Sequence, residues 1–104
     1  MAQFEVFRNP SADDEDGFPY LLVIQSDLLE HLNLRIVVPL VRADVVDPPL
    51  PRLNPRFRIG DESVVMATQF IAGTSVRNLG EVVATLADQR SDIIGAIDML
   101  ITGV

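Results

Sequence analysis

A small, mostly β barrel with one C-terminal α-helix is the fold class this sequence predicts, and three observations predict it. Short apolar runs rich in Val, Ile and Phe recur from Gln3 to Val76 with turn residues between them. The stretch "RFRIGDESVVM" has the form of a tight hairpin, and the apolar residues of "DIIGAIDMLI" fall on a helical period. At 104 residues the chain makes one domain, 1–104, small enough that a partner subunit would add to its stability. It contains no internal repeat.

In "QFEVFR", Phe4 and Val6 alternate onto one face, and "PYLLVIQS" is a denser apolar run, so both are strands. Between them, Asp13, Asp14, Glu15 and Asp16 form a like-charge block that repels itself inside any regular element and belongs to a loop. The block lacks the alternating ligands and distal Glu of a calcium loop, so no metal is expected there. "SDLLEHLN" starts on two good capping residues, Ser26 and Asp27, with Leu28, Leu29 and Leu32 at helical spacing, which predicts a short helical turn.

"LRIVVPLV" is the next strand; Pro39 donates no ladder hydrogen bond and is expected at an edge, a bulge or a strand end. "DPPLPRLNP", with four prolines in nine residues, is a stiff connector, the alternative being a polyproline ligand for an aromatic groove. Gly60 and Asp61 then form a two-residue turn with glycine first. That turn sets Ile59 against Glu62, Phe57 against Val64 and Arg58 against Ser63. "MATQFIAGTSV" predicts a short strand or turn broken near Gly73.

In "GEVVATLADQRSDIIGAIDMLI", Val82, Val83, Leu86, Ile93, Ile94, Ile97, Leu100 and Ile101 keep a mostly helical period, interrupted by the charged "DQRSD". The expectation is a short turn followed by a helix that starts between Asp88 and Ser91. Five or so strands and one helix result.

Composition narrows function by exclusion. No cysteine is present, and His31 is the single histidine, which leaves neither a thiolate metal site nor the makings of a Ser-His-Asp triad. Ser63 and Thr68 have no base partner in the pattern, and no glycine-rich phosphate loop occurs, so no catalytic residue and no cofactor are expected. A net charge of −7 repels a phosphate backbone, which argues against nucleic-acid binding by the chain alone and for a protein partner. Five of the eight arginines, Arg35, Arg42, Arg52, Arg56 and Arg58, fall in the middle of the chain and are expected on a solvated strand face. No apolar window is long enough to span a membrane, and "MAQFEVFRNP" has neither the basic nor the apolar region of an export signal, so a cytoplasmic location is expected.

The terminal helix carries the strongest functional hint. Ile93, Ile97, Leu100 and Ile101 line one face while Ile94 and Met99 widen it beyond what docking on one small barrel requires. Each such side chain left in water forgoes about 1.5–3 kcal/mol, so homodimerisation is the economical outcome. Gly95 and Ala96 are small enough to let a second backbone approach.

Taken together, "MAQFEVFRN", "VIQSDLLEHLNLRIVVPL", "IGDESVVMAT" and "IGAIDMLITGV", in this order and nearly end to end, resemble the CcdB family of toxins from plasmid and chromosomal toxin-antitoxin modules. The resemblance implies an SH3-like barrel of the CcdB/MazF type with a C-terminal helix, assembled as a homodimer. It implies binding to the A subunit of DNA gyrase, which is trapped with its DNA cleaved, and neutralisation by a CcdA-like antitoxin with a disordered tail. An RNase on the related MazF-type barrel is the enzymatic alternative, and an unrelated small binding module is another.

Residue by residue, the family's gyrase contacts carry onto Leu28 and Leu29 after "QSD", and onto Asp98, Ile101, Thr102, Gly103 and Val104. Thr102 stands where the family's best-known members have tryptophan, and Asp98 where an amide is usual. The tail of an acidic antitoxin would need a locally basic groove, for which Arg56 and Arg58 are the candidates.

Overall fold

The computed structural model describes residues 2–10 and 17–103; the acidic block expected to form a loop, Asp13 to Asp16, lies outside them, as does Val104. Among the described residues seven strands appear where about five were expected: β1 Glu5–Arg8, β2 Tyr20–Val23, β3 Leu34–Val41, β4 Arg56–Ile59, β5 Glu62–Met66, β6 Ala72–Ser75 and β7 Val82–Thr85. One helix, α1 Arg90–Thr102, follows them. The strands run β4-β5-β3-β2-β1-β7 in one antiparallel sheet, with β6 added to the start of β3, and curl into a nearly closed barrel against which α1 packs.

Strand β3 is the hub. Along one side it pairs with β2, placing Val38 opposite Leu22; along the other it pairs first with β6 (Ile36 opposite Gly73) and then with β5 (Leu40 opposite Met66). Pro39 falls inside β3, not at its end, and the change of partner explains how. Ile24 N donates to Ile36 O on the β2 side, whereas Pro39 O accepts from Ala67 N on the opposite side. The missing N–H of Pro39 therefore faces the gap between β5 and β6, where a 3₁₀ turn, Thr68–Phe70, interrupts the ladder.

The hairpin has the expected register, with Ile59 opposite Glu62, Phe57 opposite Val64 and Arg58 opposite Ser63. Gly60 adopts φ 61° at the turn, a conformation that costs glycine nothing. The proline-rich connector is tied down by Asn54, whose amide Nδ2 donates to Met66 O and to Gln69 Oε1 while its Oδ1 accepts from Leu50 N.

The stretch from Val82 to Thr85 corrects the helical reading: it is strand β7, paired with β1 through Val6 opposite Ala84. Ala87–Gln89 then makes a 3₁₀ turn, and α1 begins at Arg90, within the expected window.

One cluster inside the barrel joins Val6, Leu22, Val38, Leu40, Phe57, Val64, Met66, Leu86, Ile93 and Ala96. Two smaller ones, around Val41 and Val65 and around Phe7, Val23 and Val37, cover parts of the outer face. Phe4 enters β1 at φ 69°, an uncommon backbone for a bulky residue. Its N–H donates to Val23 O at 2.7 Å and its carbonyl accepts from Leu86 N at 2.8 Å, so two elements hold the strained residue in place.

Candidate functional site

The "SDLLEHLN" stretch folds as its capping residues predict. Ser26 Oγ accepts from Leu28 N, and Leu29 N and Glu30 N donate back to Ser26 O and Asp27 O to complete a single 3₁₀ turn, Asp27–Leu29. A turn of this length cannot bury its own side chains. Leu28 is 87% exposed and Leu29 44%, with Leu32 and Leu34 exposed beside them in sequence. His31 is exposed as well.

Two buried polar side chains hold this loop from beneath: Gln25, which the sequence did not point to, and Arg35, which it placed on a solvated face. Gln25 Nε2 donates to Leu29 O and Leu34 O, while its Oε1 accepts from Ile36 N. Arg35 donates to the carbonyls of Glu30 (2.7 Å), Leu34 (2.9 Å) and Leu32. Arg35 is 7% exposed, which corrects its expected place on a solvated face. Strand alternation groups it with Val37 and Val41, and that apolar company was the available signal.

The terminal helix divides in two. Ile93 and Ala96 are fully buried in the barrel core, and Ile94 and Ile97 pack against it, so Ala96 serves this chain's own packing and offers no close approach to another. Leu100 is 37% exposed and Ile101 75%. The helical repeat brings Asp98, Ile101 and Thr102 together on the last turn; Thr102 Oγ1 donates to Asp98 O at 2.7 Å, and Gly103, at φ 78°, ends the helix by donating its N–H to Met99 O. No basic residue lies in that turn, so the negative end of the helix dipole and the Asp98 carboxylate add to one another.

A further apolar surface lies on β3. Leu34, Ile36, Val38 and Leu40 share one face of β3; α1 and the barrel seal it at Val38 and Leu40, but Ile36 is 38% and Leu34 56% exposed. On β6, Gly73 lies beside Ile36, whose Cδ1 is 3.7 Å from the place a Cβ would occupy. The core layer thus runs out into solvent on β3 and β6. Arg56 and Arg58 occupy a separate place, both exposed on one face of β4, where Arg58 makes a long bond to Asp61 O.

The arrangement contains exposed aliphatic side chains on rigid supports. Among the described residues no group of three or more potential metal ligands gathers, and no helix is long and apolar enough to cross a membrane. Fold and surface together define a small β-barrel protein with a C-terminal helix that exposes several aliphatic side chains. Over residues 3–103 the chain matches the family model described as CcdB protein. It belongs to the CcdB family, and so to the toxins of toxin-antitoxin systems.

Proposed function

We propose that this protein is a single CcdB-like domain, 1–104, acting in the cytoplasm as a homodimeric toxin that binds the A subunit of DNA gyrase and traps the enzyme with its DNA cleaved. It acts by binding, not by catalysis. The observation that carries the reading is the exposure of Ile101 on a helix whose earlier apolar residues are consumed by the core: this end of the chain has apolar surface that its own barrel does not use. Leu28 and Leu29 supply the second gyrase contact, Asp98, Thr102, Gly103 and Val104 complete the first, and the open face of Ile36 and Leu34 supports the dimer. A CcdA-like antitoxin neutralises the toxin through Arg56 and Arg58.

The test is a cleavage assay with gyrase from the same source, supercoiled plasmid and ATP, run beside a variant lacking residues 102–104. Linear DNA with the full chain and none with the truncated dimer supports the reading; linear DNA with the truncated protein contradicts the assigned site. One observation favours a second reading. Thr102, in place of tryptophan, removes a large aromatic contact, and a protein that dimerises and binds antitoxin while producing no linear DNA fits a family member that has lost poisoning.

A further inference from the structure

We propose that Arg35, assisted by Gln25, is a positioning residue that presets the Leu28–Leu29 turn for its partner. The inference rests on the reading above that this leucine pair meets the gyrase A subunit. Both side chains are at least nine-tenths buried, yet the hydrogen bonds they make run to main-chain groups of one short segment. Carbonyls of residues 29, 30, 32 and 34 and the N–H of residue 36 are all engaged, so nearly every second peptide of the segment is pinned. No carboxylate pairs with the buried guanidinium among the described residues.

That arrangement is a poor device for core stability. Burying a charged group is costly unless it is fully bonded, and the same face of β3 otherwise carries the uncharged Val37, Pro39 and Val41; a valine fills such a site without that cost. What the guanidinium does and valine does not is bridge three carbonyls at fixed separation through its planar fork. Apart from the bonds of its own turn, the loop is tied to the rest of the fold at its two ends, by Gln3 N donating to Asp27 Oδ1 and Val76 N to Asn33 O, so the stretch between depends on Arg35 and Gln25. Its 3₁₀ turn is three residues long, none of them buried, and its leucines face water. Rigidity supplied from below lets the leucines meet a partner without first being ordered, which lowers the cost of association.

The experiment uses the full-length dimer. Arg35→Met, and separately Gln25→Met in case the first variant folds poorly, are compared with the wild type for affinity to a purified gyrase A subunit. Each is also made in a Leu28→Ser, Leu29→Ser background, and amide hydrogen exchange is followed residue by residue. The expected result is an affinity loss of about tenfold in the natural background that vanishes in the serine background, with faster exchange confined to residues 28–34. An unchanged affinity, an equal loss in both backgrounds, or faster exchange spread over the barrel overturns the proposal. If the wild-type protein does not bind gyrase A, the functional reading fails, and exchange alone decides the positioning role: local loosening upholds it, and an unaltered loop refutes it.

Discussion

The hydroxyl of Thr102 donates a 2.7 Å hydrogen bond to the main-chain carbonyl of Asp98, one turn back along α1. A side chain that folds back onto its own helix closes the last turn and offers a partner little area. Substituting Thr102→Trp exchanges this local bond for a large exposed ring. If the neighbouring contacts are retained, affinity for gyrase should rise by about thirtyfold to thousandfold, equivalent to about 2–4 kcal/mol, and linear DNA should appear at correspondingly lower protein concentration in the cleavage assay. Equal potency of the two proteins would show that position 102 is not a contact.

The open face of β3 gives a test of the proposed dimer. Ile36 is partly exposed, so Ile36→Glu should leave the monomer folded, but in a dimer it would bury an unpaired carboxylate. Dissociation is expected to become about a hundredfold easier, measured by sedimentation across a dilution series. An undisturbed dimer would move the interface elsewhere.

Charge reversal on β4 tests the proposed antitoxin surface apart from the proposed dimer surface. Arg56→Glu with Arg58→Glu replaces two exposed cations by anions on an already acidic protein, and should weaken binding of an acidic antitoxin tail about tenfold or more at low salt while dimer mass stays the same. Calorimetric titration with the tail peptide measures it; an unchanged affinity assigns the tail to another surface.

Gly95 sits inside α1 with nothing beyond its own neighbours and its own helical backbone within 4 Å of the position a Cβ would take. Glycine there costs about 0.5–1 kcal/mol relative to alanine, so Gly95→Ala should raise stability by about that amount in urea unfolding at fixed protein concentration. A loss of stability instead, growing on dilution, would place a partner's backbone beside residue 95.

Tyr20, the single tyrosine, has its phenol pushed above the ordinary 10.0 by burial; the nearby Glu62 carboxylate raises it further, against a smaller opposing pull from Arg8. The folded protein keeps the phenol neutral at pH values where the unfolded chain ionises it. The associated stability is therefore intact below pH 10.0 and declines as pH rises from there through the folded-state value. Tyr20→Phe should flatten that alkaline decline, and tyrosinate absorbance of the wild type, which reports this residue alone, should titrate above the free phenol.

Features held by neighbours in sequence were legible in it. The Gly60 turn with its hairpin register, the Ser26 cap and the start of α1 near residue 90 each depend on groups a few residues apart, and a linear pattern states those relationships directly. The family motifs were legible for the same reason, being short and in order. Val82, Val83 and Leu86 were misread because a short apolar run satisfies a helical and a strand period equally, and what decides between them is pairing with β1, more than seventy residues earlier.

Arg35 shows the same limit at the candidate site. Its charge argued for solvent, although strand alternation set it beside Val37 and Val41. Burial became possible because the returning loop turns several carbonyls toward one point, and a single side chain can bond them there. Sequence by itself determined a mostly β chain with a C-terminal helix and the absence of cysteine chemistry, and it nominated the contact residues through the family resemblance. Tertiary structure alone decided which apolar residues the core consumes and which stay exposed, because burial depends on whether distant segments arrive to cover a side chain, a long-range outcome that no local pattern contains.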